Sequence, residues 1–197
     1  MTFVVASFNP DKLRELRELL ELPGVSLVSL SEFPGASAPD EAGATLRENA
    51  LTKARAAVTL TGLPAIADDT GLEVDALGGE PGVRSARFAG PAATYADNVR
   101  RLLEALAGVE PARRGARFRT VCVACFPGRS ELVGEGVLEG RITERSRGSG
   151  GFGYDPVFEV SELGCTLAEL SPREKNEFSH RARAVRDLAR QLAVLRH

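Results

Sequence analysis

Short apolar runs and segments of helical periodicity succeed one another along the first part of the chain. The apolar runs predict buried strands at residues 3–7, 25–30 and 63–67. Asn9 is of a residue type that caps helices and Pro10 fits a first helical turn, so the leucines that follow at helical spacing predict a helix. A second helix is predicted over 45–61, with Gly62 at its end. The pattern is that of an α/β protein.

The rest of the chain has a less regular order of elements. Residues 71–93 are rich in glycine and proline and show no clear period, and Thr94 caps the next predicted helix. Strands are predicted over 116–126, 131–138 and 156–160, the first two being antiparallel. A capping box at Ser171 begins a C-terminal helix, whose apolar stripe comprises Val185, Leu188, Leu192 and Leu195. Because strands and helices do not alternate regularly, we predict a mixed sheet.

Length and composition predict a single domain over residues 1–197. The chain is 43% hydrophobic and 26% charged, and its formal net charge of −2 gives no argument for nucleic acid or an anionic membrane as a partner. No apolar stretch approaches the roughly 20 residues of a membrane span. The N-terminal sequence MTFVVASFNPDK lacks the basic region of a signal peptide. We therefore expect a cytoplasmic protein that binds neither nucleic acid nor membranes.

Cys122 and Cys125 form a C-x-x-C pair, and Cys165 is the third cysteine of the chain. The spacing is found in zinc and redox sites. Here it lies in RFRTVCVACF, which alternates as a strand does, and residues three apart on a strand point to opposite faces. We therefore expect buried, reduced thiols rather than a metal or redox pair.

The segment GSGGFGYDP begins at Gly148 with the G-x-G-x-x-G spacing of a dinucleotide-binding turn. That turn needs a strand before it and a helix that opens within it, whereas polar residues precede this segment and Pro156 follows it. It is not a Walker A loop either, because no Lys-Ser/Thr pair follows the last glycine. Two interpretations remain, a flexible turn between strands or a floor on which Phe152 or Tyr154 stacks against a flat ring.

Asp68 and Asp69 are adjacent carboxylates that we predict at the end of a buried strand, in a glycine-bounded turn. Strand ends are where α/β sheets place active sites. Adjacent carboxylates repel unless a cation or a proton lies between them, and Mg²⁺ prefers one or two carboxylates plus waters and phosphates. The alternative is a solvated acidic turn. A second acidic pair, Asp40 and Glu41, precedes the helix that carries Lys53.

The three lysines of the chain, Lys12, Lys53 and Lys175, all lie in these segments. Lys12 is at the start of the first predicted helix, whose N-terminus favours phosphate. Lys175 is close in sequence to His180 and Arg181 in the segment EKNEFSHR. Most lysines are solvated surface charges, but the coincidence of all three with the candidate segments favours a role in binding.

Five segments match one known family in order and spacing: ASFNPDKLREL, ENALTKA, LPAIADDTGLEVDALGGEPGVRSARFAG, GGFGYDPVF and EKNEFSHRARA. They cover essentially the whole chain, and ADDTGL, GGFGYDP and SHR are specific in combination. On these motifs the chain resembles the inosine triphosphate pyrophosphatase family, which acts on noncanonical purine nucleotides. The resemblance implies an elongated, twisted mixed sheet flanked by helices, with two lobes around a central nucleotide-binding cleft, and a homodimer.

The resemblance also implies a reaction, the Mg²⁺-dependent hydrolysis of ITP, dITP and XTP to the monophosphate and pyrophosphate, which clears deaminated purines from the nucleotide pool. The catalytic residues that it implies are Asp69, Asp68 and Lys53, and the implied metal ligands are Glu41 and Asp69. The implied substrate-binding residues are Ser7, Phe8, Asn9, Pro10, Asp11, Lys12, Thr70, Phe152, Gly153, Tyr154, Asp155, Lys175, His180 and Arg181. Phe8 departs from the family, because many members have glycine at that position.

These assignments agree with the chemistry of the residues. Asp69 can orient or deprotonate a water while Asp68 and Glu41 hold Mg²⁺. Donors from Arg181, His180 or the backbone would accept the 6-keto oxygen of hypoxanthine and reject the 6-amino group of adenine.

Two other functions compete with this interpretation. The first is a related pyrophosphatase acting on pyrimidine or modified nucleotides, which would lack the SHR pattern. The second is a non-catalytic nucleotide-binding module, which would be expected to lose Asp69 or Lys53.

The apolar segment 71–93 is the candidate dimer surface.

Overall fold

The computed structural model describes residues 1–20, 23–39, 42–128 and 131–194. Within these ranges the helices are α1 (Pro10–Leu19), α2 (Leu46–Thr61), α3 (Tyr95–Ala105), α4 (Pro172–Phe178) and α5 (His180–Val194). The strands are β1 (Thr2–Val5), β2 (Ser26–Ser29), β3 (Ala65–Val74), β4 (Pro81–Gly82), β5 (Gly115–Cys125), β6 (Leu132–Ile142) and β7 (Phe158–Val160). The α/β class predicted from the pattern is confirmed.

The strands form a mixed sheet in the order β2-β1-β3-β5-β6-β7, with β4 paired to β3. β1 is parallel to both β2 and β3, whereas β3 pairs with β4 and β6 with β7 in antiparallel fashion. The irregular alternation of strands and helices predicted this mixture, because a purely parallel sheet needs a crossover between every pair of strands. The prediction of a mixed sheet is confirmed.

The chain divides into two compact units. The first comprises Met1–Asp69, Thr120–Gly136 and Arg181–His197, and the second comprises Thr70–Arg119 and Val137–His180. The core of the first unit includes Phe3, Leu16, Ile66, Cys122, Val185 and Leu188. The core of the second includes Leu72, Leu102, Phe118, Ile142, Tyr154 and Phe158. The single domain over 1–197 and the cleft between lobes stay predictions.

Several predicted elements differ in extent from those in the structure, and the largest differences are in β3 and the C-terminal helix. β3 does not end before Asp68 but continues to Val74, with Leu72 and Val74 fully buried. Carboxylates need not end a strand when cations pair with them, and this one carries such pairs. The single C-terminal helix was also wrong, because the chain leaves helical geometry at Ser179 (ψ 159°), which separates α4 from α5. Leu195 of its predicted stripe lies outside the described residues.

The predicted starts of the helices and the interpretation of the glycine-rich segment can be compared directly with the structure. Asn9, Thr45, Thr94 and Ser171 cap the four helices α1 to α4 with their side chains. The segment from Gly148 leads through a short 3₁₀ turn (Asp155–Val157) into β7, and no helix opens within it, which excludes the dinucleotide-binding interpretation. Among the helices that the structure describes, none is long and apolar enough to cross a membrane.

The cysteines of β5 are buried as predicted. Cys122 is fully inaccessible and Cys125 is 3% exposed. Burial raises the pKa of both thiols, in the case of Cys125 to about 11. Both side chains are therefore protonated and unreactive near neutral pH, as inert core cysteines are.

Candidate active site

The carboxylate of Asp69 is held by two side chains of α2. Lys53 Nζ lies 2.9 Å from Asp69 Oδ1, and Asn49 Nδ2 donates to Asp69 Oδ2 over 3.2 Å. Asn49 and Lys53 are four residues apart and therefore share one face of the helix. All three side chains are buried, Asp69 being 6% exposed. The result is a fixed, charge-compensated carboxylate in the first unit.

The amide of Asn49 is fixed from its other side by the backbone before α2. Gly43 N–H donates to Asn49 Oδ1 over 2.9 Å, so the Asn49 amino group is directed at Asp69. A Cβ at Gly43 would come within 2.6 Å of that amide oxygen, which explains why a glycine is suited to this position. The predicted metal ligand Glu41 and its neighbour Asp40 lie outside the described residues.

Asp68 is the centre of a second cluster in the same unit. Its Oδ2 lies 3.2 Å from Lys12 Nζ and 3.2 Å from both Nε and Nη2 of Arg181. Arg181 also pairs with Glu15 through Nη1. Two cations and two carboxylates thus compensate one another in a place where Asp68 and Arg181 are each 1% exposed.

This cluster sets the charge states of its members. Burial by itself raises the pKa of Asp68, but Lys12 and Arg181 outweigh it and hold that pKa well below its usual range. Burial lowers the pKa of Lys12 despite the nearby Asp68. Burial also acts against the charge of Arg181, yet Asp68 and Glu15 raise its pKa. Asp68 is therefore an ionised carboxylate that is committed to cations.

Asp68 and Asp69 pair with side chains of different helices. Successive side chains of a strand point to opposite faces, and both residues lie within β3. Asp68 accordingly contacts residues of α1 and α5, whereas Asp69 contacts residues of α2. The prediction of a glycine-bounded turn is wrong, because β3 continues through both residues to Val74.

The predicted triphosphate-contacting turn lies between β1 and α1. Asn9 caps α1, its Oδ1 accepting from the backbone N–H groups of Asp11 (2.9 Å) and Lys12 (3.3 Å). Ser7 Oγ in turn accepts from Asn9 N–H over 3.2 Å. These contacts order the turn but also occupy part of the helix N-terminus. Pro10 is the first residue of α1, and Asp11 pairs with Arg14 one turn later. The side chain of Phe8, which precedes this helix, is 45% exposed.

The glycine-rich segment of the second unit places an aromatic ring beside a cation. Lys175 Nζ lies 4.6 Å from the centroid of the Phe152 ring and 2.7 Å from Asp155 Oδ2. The same Asp155 oxygen accepts from Phe152 N–H over 2.9 Å. Gly151 (φ 68°) and Gly153 (φ 63°) flank Phe152 in the left-handed region, which glycine tolerates best. Asp155 thus holds both the backbone and the cation at Phe152.

Tyr154 and His180 of the predicted substrate-binding set are buried more completely than Phe152. Tyr154 is 4% exposed, belongs to the core of the second unit and donates its hydroxyl to Ser85 O over 2.9 Å. Core side chains cover its ring, whereas Phe152 is only half-buried, and the assignment of Tyr154 to substrate binding stays a prediction. His180 is 3% exposed and stacks on Phe118, with ring centroids 4.6 Å apart. Thr70 is half-buried on β3.

Asp69 has acceptor sites left that could bind a magnesium ion, whose other ligands would come from water and from the bound nucleotide. Asp69 accepts one hydrogen bond on each carboxylate oxygen, and a carboxylate offers about four acceptor sites. No group of three or more His, Cys, Asp or Glu side chains within the described ranges is arranged to hold a metal. Mg²⁺ is usually bound by one or two carboxylates, waters and substrate phosphates rather than by such a cage.

Sequence reasoning missed Glu15 and did not assign Asn49. Glu15 follows Lys12 by three residues and Asn49 precedes Lys53 by four, so each lies on the same helical face as a residue that was singled out. That spacing was a usable signal. The partner of Glu15 was not predictable in this way, because Arg181 lies 166 residues away.

Comparison with known proteins places the chain in a family. The Ham1 family model matches residues 3–191. A dITP/XTP pyrophosphatase from Methylococcus capsulatus is 55% identical over 98% of this chain and 96% of its own length, and one from Thioalkalivibrio sulfidiphilus is 50% identical over 98% of each chain. The solved structure of a HAM1 protein from Coxiella burnetii is 42% identical with a TM-score of 0.90, covering 98% of this chain and 99% of its own. The resemblance inferred from the motifs is confirmed, and the chain belongs to the Ham1 family.

Proposed function

We propose that this protein is a nucleoside triphosphate pyrophosphatase that hydrolyses noncanonical purine nucleotides, dITP, XTP and ITP, to the monophosphate and pyrophosphate. The observation that carries the proposal is the buried Asp69 carboxylate, fixed by Lys53 and Asn49. It lies in a chain that is 55% identical over nearly its full length to a relative named dITP/XTP pyrophosphatase. Such an enzyme would remove deaminated purines from the nucleotide pool.

The reaction needs a water, a base and compensation of negative charge. Water adds to the α-phosphorus. The bond from this phosphorus to the oxygen that bridges the α- and β-phosphates breaks, and that oxygen leaves with pyrophosphate. Asp69 orients the water and takes up its proton, because it is the fixed carboxylate with acceptor capacity left. Lys53 holds Asp69 in place and contributes positive charge. Catalysis of this kind is mostly positioning and electrostatics.

Mg²⁺ is part of the proposal. Asp69, with Glu41 as the second carboxylate, would hold the ion, which supplies compensation of the triphosphate charge when bound. Asp68, the other carboxylate considered for the ion, contacts Lys12 and Arg181 through its Oδ2 atom. The family resemblance further leads us to propose a homodimer in the cytoplasm, and light scattering of the purified protein tests the dimer.

The purine base is proposed to contact the half-buried ring of Phe152. An aromatic face stacks on any base, so this contact supplies affinity rather than discrimination. The 6-keto oxygen that distinguishes hypoxanthine and xanthine from adenine requires a hydrogen-bond donor. Lys175, which lies beside the Phe152 ring, is the proposed source of that donor. His180 and Arg181 are 3% and 1% exposed, so their assignment to the base is supported by the family resemblance.

The test is pyrophosphate release in the presence of Mg²⁺ from ITP, dITP, XTP, ATP, GTP and dTTP. We expect turnover of the first three and a loss of about 10²-fold or more in kcat for Asp69→Asn, the range for removal of a general base. The matched control is Asp187→Asn, which changes a half-buried aspartate that pairs with Arg190 on α5. This control should leave activity unchanged.

The outcomes separate the competing functions. Release of orthophosphate instead of pyrophosphate would contradict the proposed bond cleavage. Activity mainly on dTTP would favour the pyrimidine-nucleotide enzyme. Full activity of Asp69→Asn would remove the proposed base, and binding of ITP without hydrolysis would favour the non-catalytic module.

A further inference from the structure

Phe152 lies between two glycines whose missing side chains leave its ring without local contacts. It lies between Gly151 and Gly153, both in the left-handed region, so its neighbours place little restriction on the orientation of its side chain. The hydrogen bond from Phe152 N–H to Asp155 fixes the backbone but not the ring. Contacts of the ring itself must therefore determine where its exposed face points.

Tyr95 makes such a contact from a rigid element. Its ring centroid lies 5.9 Å from that of Phe152 at an interplanar angle of 38°, within the range of favourable aromatic pairs. Tyr95 is the first residue of α3, where Thr94 and Asp97 form a capping box. Capping fixes the first turn of a helix. Tyr95 thus approaches the Phe152 ring from a fixed position.

The Phe152 ring contacts a buried cation and an exposed aromatic side chain. Lys175 Nζ lies over the ring at 4.6 Å and is itself held by Asp155. Tyr95 remains 43% exposed, so its ring is not a core side chain whose removal would leave a cavity. An exposed aromatic residue that contacts a proposed ligand-binding ring contributes more to the order of that ring than to the stability of the fold.

We infer that Tyr95 is a positioning residue that orients Phe152 for binding of the purine base. The inference rests on the proposed function, since it assumes that Phe152 contacts the base. It assigns a role in substrate affinity to a residue of α3 that lies far in sequence from the glycine-rich segment. Tyr95 acts through Phe152 and leaves the chemical step to Asp69.

The experiment compares KM and kcat for ITP in Tyr95→Ala, Tyr95→Leu and Tyr95→Phe. We expect KM to rise about threefold to tenfold (about 0.7 to 1.4 kcal/mol) in the first two variants, since a stacked pair contributes in this range. We expect kcat to stay within about twofold, because the lost interaction is made equally in the ground and transition states. Tyr95→Phe keeps the ring and should restore wild-type KM. Leu163→Ala removes another exposed apolar side chain, 48% accessible, and is the matched control.

A double-mutant cycle with Phe152→Ala shows whether Tyr95 acts through Phe152. We expect Tyr95→Ala to have no further effect on KM once Phe152 is alanine, because the two residues share one contact. Additive effects would overturn the inference, as would an unchanged KM in Tyr95→Ala or in Phe152→Ala alone. Absence of ITP hydrolysis by the wild-type protein would instead overturn the proposed function, so the two failures are distinguishable.

Discussion

Replacing Asp68 by asparagine tests whether the buried charge cluster stabilises the first unit. The substitution keeps the size of the side chain and removes its charge. Arg181, which is 1% exposed, would keep its pair with Glu15, and Lys12 would keep the weaker attraction of Asp69. Removal of one partner from a buried ion pair costs about 3–5 kcal/mol. Asparagine retains one acceptor oxygen, so we expect the lower end of this range, about 3 kcal/mol.

The assay is thermal unfolding of the purified Asp68→Asn variant beside wild type. For a chain of this size, about 3 kcal/mol corresponds to a fall in Tm of about 6–12 °C. Glu104→Gln is the control, because it removes the charge from an exposed i,i+4 pair with Arg100 whose atoms are 3.9 Å apart. Such surface pairs contribute about 0.3–0.5 kcal/mol. Equal Tm values for the two variants would refute the argument that the Asp68 cluster stabilises the fold.

Two further predictions concern buried groups outside the candidate site. Arg114→Lys should lower the free energy of unfolding by about 2 kcal/mol, because a lysine cannot replace a guanidinium that donates to three backbone carbonyls. Denaturant unfolding measures this, and an equal loss in the exposed neighbour Arg113→Lys would contradict it. Titration with a thiol reagent at pH 8 should modify only Cys165 in the native protein. Cys122 and Cys125 should react only after unfolding, since burial raises the pKa of these two thiols. Rapid native modification of all three would show that β5 opens readily.

The order of elements was predictable wherever the signal was local. Side-chain caps at Asn9, Thr45, Thr94 and Ser171 begin helices in the structure as they do in the sequence pattern. A cap joins groups two or three residues apart, so its energy does not depend on the rest of the fold. The family was likewise readable from motifs, because their order and spacing are properties of the sequence.

The continuation of β3 through the two aspartates depends on contacts with residues that are distant in sequence. β3 passes through Asp68 and Asp69 because α1, α2 and α5 supply cations to them, which no local pattern records. The break at Ser179 interrupts a segment that has helical periodicity on both sides. In β3, tertiary partners compensate the cost of placing two adjacent carboxylates within a buried strand.

The sequence by itself determined the fold class, the family and most of the residues from which the candidate site is built, Glu15 and Asn49 being the exceptions. The tertiary structure alone decided which of those residues contact each other. Asp68 pairs with Lys12 and Arg181, Asp69 pairs with Lys53, and the two carboxylates diverge. The physical reason is that residue types and local spacing fix what a side chain can bind, whereas the alternation of a strand and the packing of distant helices fix what it meets.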